Sequence, residues 1–247
     1  MPRYFLECAY KGTNYSGFQS QKNTGKTIQA EIENAFQILQ KSKVELTGSS
    51  RTDAGVHALQ NYFHFDFDNE VHPQFIYKIN AILPGDIVVK KINVVSNDAH
   101  CRYDATSREY KYFIYRRKDP FLADRAFFFP YKLALDKMQE AATVIKEYTD
   151  FTSFSKRNTQ VKTFICDIQE SEWRHEDDCL VYYVRANRFL RGMVRALTAT
   201  MLKIGRGNMD IEEFRQIIEA KDCTKASFAV PSHGLFLISV RYRYIQN

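Results

Sequence analysis

Hydrophobic and polar residues follow a regular order in the first 105 residues, and this order predicts the element sequence β-α-β-β-α-β. Strand-like alternation or composition occurs in four segments, at residues 3–10, 43–49, 57–67 and 87–95. Between them, apolar residues three and four positions apart predict an amphipathic helix over residues 28–40 and a second helix from Phe75 to Ile82. Thr27 is the expected N-cap of the first helix, and Pro84-Gly85 is expected to end the second.

The same order of elements returns after residue 106. Strands are predicted at residues 108–117, 161–170, 179–186 and 235–245, and helices at residues 134–148, 188–204 and 210–220. Two such units in tandem are typical of an α+β fold made of two ferredoxin-like halves. We therefore expect one half at residues 1–105 and another at 106–247, joined near residues 98–107. Their antiparallel sheets are expected to lie side by side, with a basic cleft between them.

Composition indicates a globular protein of the cytoplasm. The 247 residues can form one large domain or two small ones, and 45% of them are hydrophobic. The N-terminus lacks the apolar run of a signal peptide, and no stretch is apolar enough to span a bilayer. The five cysteines are scattered without a Cys-x-x-Cys pair, which favours reduced core thiols and no zinc site.

The net charge of +6 comes from the second half of the chain. Residues 1–105 hold 11 basic and 11 acidic residues, so the remaining 24 basic and 18 acidic residues supply the whole excess. Six cations and two acids lie among five aromatic residues in Arg102–Lys118, and six cations without an acid lie in Arg185–Arg206. One such cluster alone fits a solvated surface. Two together favour a nucleic acid, whose phosphates bind cations and whose bases stack on aromatic rings.

The segment Arg51-Thr52-Asp53-Ala54-Gly55-Val56-His57 carries the clearest chemical signal. It places a guanidinium, a hydroxyl, a carboxylate and a glycine in a tight turn between two predicted strands. Such a turn can present Asp53 to a substrate with a cation beside it. An aspartate in a turn more often bonds the local backbone, so the turn by itself also fits a purely structural role.

Residues 50–58, Ser-Arg-Thr-Asp-Ala-Gly-Val-His-Ala, closely resemble the catalytic signature of the TruA family of tRNA pseudouridine synthases. Other segments are similar to motifs of that family, at residues 10–19, 80–87, 105–112, 150–154, 187–195 and 234–237. The resemblance therefore covers nearly the whole chain. Four residues depart from the usual pattern, namely Lys11, Phe18, Ser50 and Ala196. None of them removes an atom that the chemistry needs, but Ser50 replaces a glycine of the turn.

The resemblance implies an isomerase that converts uridine to pseudouridine at positions 38–40 of the tRNA anticodon stem-loop. It implies no cofactor, and a homodimer in which both subunits contact the tRNA. Asp53 would act on the base or the sugar, or support a sugar intermediate electrostatically. Arg195 would keep Asp53 ionised and oriented, and Tyr110 would stack on the target base. Arg51 would help to extract the flipped nucleotide.

Three arginines are expected on one stripe of the helix predicted over residues 188–204. Arg188, Arg191 and Arg195 lie there at positions i, i+3 and i+7. Because this region has no acid, the stripe favours a phosphate or carboxylate partner over a solvated face. Arg188 and Arg191, with Lys111 of the first basic cluster, are therefore candidate RNA-binding residues.

Two other functions fit the same sequence. Ferredoxin-like sheets also bind single-stranded RNA without chemistry, so a non-catalytic RNA-binding module is one alternative. The presence of Asp53, Tyr110 and Arg195 together argues for the enzyme instead. The second alternative is a pseudouridine synthase that acts on another RNA.

Overall fold

The computed structural model describes residues 1–21, 24–68, 71–157, 159 and 161–245. Within these ranges the chain forms nine strands and five α-helices, which confirms a mixed α and β protein. The strands are β1 (Arg3–Tyr10), β2 (Thr47–Gly48), β3 (His57–Asp66), β4 (Ile87–Val95), β5 (Ser107–Tyr115), β6 (Phe127–Phe128), β7 (Ile168–Glu176), β8 (Cys179–Ala186) and β9 (Leu235–Arg241). The helices are α1 (Ile28–Gln40), α2 (Phe75–Ile82), α3 (Leu135–Val144), α4 (Met193–Gly205) and α5 (Ile211–Glu219).

The chain falls into two compact units. The first comprises Met1–Thr106 together with Phe236–Asn247, and the second comprises Ser107–Leu235. The chain passes from the first unit to the second between Thr106 and Ser107. The C-terminal segment, expected in the second half, instead groups with the first unit, where β9 pairs in parallel with β3 at His57 and Ala58.

β1 is the central strand of the first unit. It pairs antiparallel with β3 on one edge and with β4 on the other. β2 pairs antiparallel with β3 at Phe63 and His64. Since strands cover both edges of β1, its backbone hydrogen-bonding groups have partners, and Phe5 and Leu6 are fully buried.

The two helices of the first unit are as predicted. The Thr27 hydroxyl accepts a hydrogen bond from the Ala30 N–H at 3.2 Å, as expected of an N-cap. α1 packs its apolar stripe inward. The centroid of the Phe36 ring lies 5.1 Å from that of Phe65 and 4.9 Å from that of Phe75 of α2. These aromatic contacts join both helices to the sheet.

The second unit has an antiparallel sheet in the order β5-β8-β7, with β6 parallel to β5. In α4 only Arg195 and Lys203 are not buried, so this helix lies within the core of the unit. α5 begins with a capping box between Asp210 and Glu213, which satisfies two backbone N–H groups. The helix predicted over residues 210–220 is therefore confirmed.

The strand predicted over residues 161–170 is wrong in its bounds. Residues 161–167 form only an isolated bridge between Asp150 and Ile165, although Cys166 is fully buried. The strand begins at Ile168 and continues to Glu176. The strand was placed too early because its charged residues lack the apolar alternation typical of a strand. In the structure these Glu and Arg side chains form ion pairs along the sheet surface, as between Glu172 and Arg174 at 2.9 Å.

The helix predicted over residues 188–204 begins later, at Met193. Gly192 directly before it has a φ of +76°, in the left-handed region, so a right-handed helix cannot pass through it. Two further elements are shorter than predicted. The strand at 43–49 is reduced to Thr47–Gly48, and the helix at 134–148 ends as one 3₁₀ turn at Ile145–Glu147.

Reduced thiols in the core were expected, and four of the five cysteines lie there. All five cysteines are unpaired, and all but Cys223 are buried. In the part of the chain that the structure describes, no helix has both the length and the apolar surface needed to cross a bilayer.

Candidate active site

Asp53 lies in the turn that leads into β3. The Val56 N–H donates to the Asp53 carbonyl at 3.2 Å, and Gly55 has a φ of +78°, which favours glycine at that position. The Asp53 side chain is half-buried, so water and substrate can reach it while the backbone around it is fixed. The turn predicted from the sequence is therefore present, with its carboxylate accessible.

The loop after β1 supports this turn through two glycines. A side chain on Gly12 would place its Cβ 2.7 Å from the Val56 carbonyl carbon and closer still to the oxygen. The Gly12 N–H also donates to His57 Nδ1 at 3.2 Å. Gly17 has a φ of +115°, and a Cβ there would lie 3.2 Å from the Thr52 carbonyl oxygen. The backbone of this loop thus packs directly against the turn.

A buried polar network holds the other side of the turn. Asn61 of β3 is fully buried and donates from Nδ2 to the Ser50 carbonyl at 2.9 Å and to the Tyr10 hydroxyl at 3.1 Å. The Tyr10 hydroxyl in turn lies 2.8 Å from the Thr52 Oγ1. Since these partners belong to β1 and β3, the sheet fixes the turn before any substrate arrives.

Two residues of the motif have structural roles. The His57 ring stacks on Phe236 with centroids 4.5 Å apart and accepts a hydrogen bond from the Gly12 N–H, so its contacts support the turn. Ser50 is buried, and its backbone lies outside the left-handed region. A serine in place of the usual glycine therefore imposes no backbone strain at this position.

Arg51 and Asp53 lie on the same turn of the first unit. Arg51 is exposed and has no hydrogen-bond or ion-pair partner among the described residues. Partial burial, followed by the positive charge of Arg102, lowers the pKa of Arg51. The sequence had predicted a cation beside Asp53, and the structure places Arg51 two positions away along the same turn.

The other two candidate catalytic residues belong to the second unit. Tyr110 lies on β5, is 9% exposed, and meets the Phe189 ring edge-on at 5.1 Å. Arg195 lies in the first turn of α4 and donates from Nε and Nη2 to the Val230 carbonyl at 3.1 and 2.7 Å. This forked contact fixes the direction of the guanidinium.

The predicted stripe of three arginines on one helix is wrong. Arg195 lies on α4, whereas Arg188 and Arg191 precede it in a loop that ends at Gly192. Arg191 is exposed and Arg188 is half-buried. Lys111 of β5 is held by a carboxylate, since its Nζ lies 2.8 Å from Glu176 Oε2. RNA binding by these three residues stays a prediction.

One cluster of possible metal ligands was missed. His64, His100 and Cys101 of the first unit place one ligand atom each within 4.8 Å of one another. His64 and Cys101 are 37 residues apart, so sequence spacing gave no sign of this group. The Cys101 thiol lies 3.2 Å from His64 Nδ1 and donates to the Thr47 carbonyl at 3.1 Å. These hydrogen bonds connect Cys101 to β2 and β3, so the cluster also has a structural role.

His64 is expected to make stability depend on pH. Burial, and then the nearby positive charges of His100 and Arg3, lowers the pKa of His64 to about 4. In the unfolded chain His64 takes a proton near pH 6.5. The unfolded state therefore binds more protons between pH 6.5 and 4, and the unfolding free energy falls as pH drops through this window, by at most about 3 kcal/mol.

Urea unfolding at pH 7, 5.5 and 4.5 measures this dependence. His64→Gln should make it shallower, leaving the contribution of His100, whose pKa is also lowered by burial. His175→Gln, which changes an exposed histidine, should keep the full dependence. An equally steep fall in the His64→Gln variant would assign the dependence to other groups.

Comparison with known proteins identifies the family. A family model described as tRNA pseudouridine synthase matches residues 8–104 and 148–243. The chain is 47% identical to tRNA pseudouridine synthase A of Parabacteroides distasonis, over 98% of this chain and 96% of that protein. It is 44% identical to the protein of that name from Bacteroides thetaiotaomicron, over 98% and 91%, and 39% identical to that from Staphylococcus aureus, over 95% and 90%. The chain belongs to the tRNA pseudouridine synthase family.

Proposed function

We propose that this protein converts uridine to pseudouridine at positions 38–40 of the tRNA anticodon stem-loop, with Asp53 as the catalytic carboxylate. Membership of the family makes it an isomerase that acts on tRNA uridine. The observation that carries the assignment of Asp53 is its turn. The backbone there is fixed by Gly12, Gly17 and Asn61, and the carboxylate stays half-exposed.

The reaction breaks the N1–C1′ bond of uridine, turns the base and joins it again through C5. Atoms and electrons balance within the nucleoside, so a single carboxylate with positioned partners is chemically sufficient. Asp53 acts on the base or the sugar, Arg195 orients it, and Tyr110 stacks on the base. The forked contact of Arg195 with Val230 supports this proposal because it orients the guanidinium in advance.

The remaining proposals concern RNA binding and assembly. Arg51 helps to extract the target nucleotide, and Arg188, Arg191 and Lys111 contact the RNA backbone. Lys111 exchanges Glu176 for a phosphate when it does so. The protein acts in the cytoplasm as a homodimer, with two ferredoxin-like halves at residues 1–105 and 106–247. For the first half, the pairing of β4, β1, β3 and β2 supports this fold.

Unmodified transcripts test the proposed site of modification. Three tRNA transcripts, each with uridine at only one of positions 38, 39 and 40, are incubated with the protein and mapped for pseudouridine. We expect modification at these positions and none in a matched transcript with cytidine at all three. Pseudouridine found only elsewhere in tRNA, or only in ribosomal RNA transcripts tested alongside, would overturn the assignment of the substrate.

A further inference from the structure

We infer that Arg51, Arg102 and Tyr103 form a subsite for one nucleotide of the RNA, next to the target uridine. The inference rests on the proposed function, since Arg51 lies two residues before Asp53. These three residues line a cavity of about 270 Å³ in the first unit. Pockets for drug-sized ligands measure about 300–1,000 Å³, so this cavity suits a ligand no larger than one nucleotide.

Two guanidiniums face the same cavity. Arg51 has no hydrogen-bond or ion-pair partner within the described ranges. Partial burial, and then the positive charge of Arg102, lowers the pKa of Arg51. Two neighbouring cations repel each other, and an anion between them removes that repulsion. A phosphate accepts paired hydrogen bonds from guanidinium groups, so it is the anion that fits best.

Tyr103 offers a stacking face. Its side chain is 73% exposed, which is unusual for an aromatic ring whose neighbours could cover it. The ring rests on His100 with centroids 4.3 Å apart, and His100 meets His64 at 4.6 Å. The Arg102 guanidinium carbon lies 5.7 Å from the Tyr103 ring centroid. A base that stacks on Tyr103 would therefore carry its phosphate close to a cation.

The segment that carries Arg102 and Tyr103 is held by two tyrosines that follow β9. The Tyr242 hydroxyl donates to the Cys101 carbonyl at 2.5 Å, and the Tyr244 hydroxyl donates to Asp104 at 2.8 Å. Within the segment, the Tyr103 N–H donates to the His100 carbonyl at 3.1 Å. Because the backbone is held in place, ligand binding costs little ordering of the chain.

Glu45 and Gln19 also line the cavity. A carboxylate at this place disfavours a bare inorganic anion. It favours a ligand that brings hydrogen-bond donors as well as a phosphate, as the edge of a nucleobase does. A nucleotide of the RNA therefore fits the cavity better than free phosphate.

The experiment measures the Kd of an unmodified tRNA transcript by fluorescence anisotropy at several salt concentrations. We expect Arg102→Ala to raise Kd about tenfold and to reduce the slope of log K against log salt by about 1. Tyr103→Leu should raise Kd roughly 5- to 100-fold. In the double variant Arg51→Ala/Arg102→Ala, Kd should rise by less than the product of the two single-variant increases, because both arginines hold the same phosphate.

Exposed residues of the same unit provide matched controls. Arg243→Ala and Tyr77→Leu remove the same side-chain types from exposed positions of the first unit. Arg102→Lys keeps the positive charge but removes the paired hydrogen-bond donors of the guanidinium. The subsite would be overturned if the Kd values of Arg102→Ala and Tyr103→Leu equalled those of Arg243→Ala and Tyr77→Leu. The proposed function is tested separately: if it is wrong, the unchanged protein forms no pseudouridine in any transcript. The comparison of Kd values decides the subsite in either case.

Discussion

Replacing Asp53 by asparagine or alanine is expected to lower the rate of pseudouridine formation by more than roughly 10⁴-fold. Asparagine keeps the shape of the side chain but cannot attack or carry negative charge, so the chemical step loses its acting group. The affinity for tRNA should change by less than about threefold, because the phosphate contacts come from other residues. Single-turnover assays with a saturating amount of protein separate this loss of chemistry from a loss of binding.

A charge-matched control accompanies this variant. Asp68→Asn removes a carboxylate that is exposed and lies 4.0 Å from the N-terminal amine, so activity should be unchanged. Thermal unfolding should place both variants close to the unchanged protein, since the Asp53 side chain is only half-buried. Activity that survives in Asp53→Ala would remove Asp53 from the mechanism and favour another carboxylate or another function.

The fold of the first unit could be predicted well because its local patterns agree with its tertiary contacts. α1 has an N-cap and an apolar stripe that packs on β3. β1 is apolar because most of its side chains are buried, and its neighbours β3 and β4 satisfy its backbone hydrogen bonds. In the second unit, the predicted position of β7 was wrong because its outer face is charged. Edge strands often carry charges that discourage pairing with other chains, and such a strand lacks the apolar signal of a buried one.

The site shows a similar division between local and distant information. The turn around Asp53 was visible because its residue types require a turn. The role of Gly12 was not visible, since its contact with Val56 depends on how β1 and β3 pair. The stripe through Arg188 and Arg191 failed for a local reason. The spacing of charged residues continues smoothly across Gly192, whereas its backbone φ of +76° interrupts the helix.

Gly12→Ala is expected to destabilise the protein by about 3 kcal/mol and to lower activity at least about 100-fold. The new methyl group would overlap the Val56 carbonyl, so the turn that carries Asp53 has to move. Displacing a catalytic group by about 1 Å costs on the order of 10²-fold in rate. Urea unfolding and single-turnover assays at low temperature measure both effects on the fraction that folds.

Gly25→Ala is the matched control, since no atom lies within 4 Å of a Cβ built there. Its stability should be unchanged or slightly raised, because alanine restricts the unfolded chain. Gly17→Ala provides an intermediate case. Its Cβ would lie 3.2 Å from the Thr52 carbonyl oxygen, and its φ of +115° is strained for alanine, so a loss of about 1–2 kcal/mol is expected. If Gly12→Ala matched Gly25→Ala in stability and rate, the loop after β1 would not be what holds the turn, and Asn61 and Tyr10 would have to position Asp53 alone.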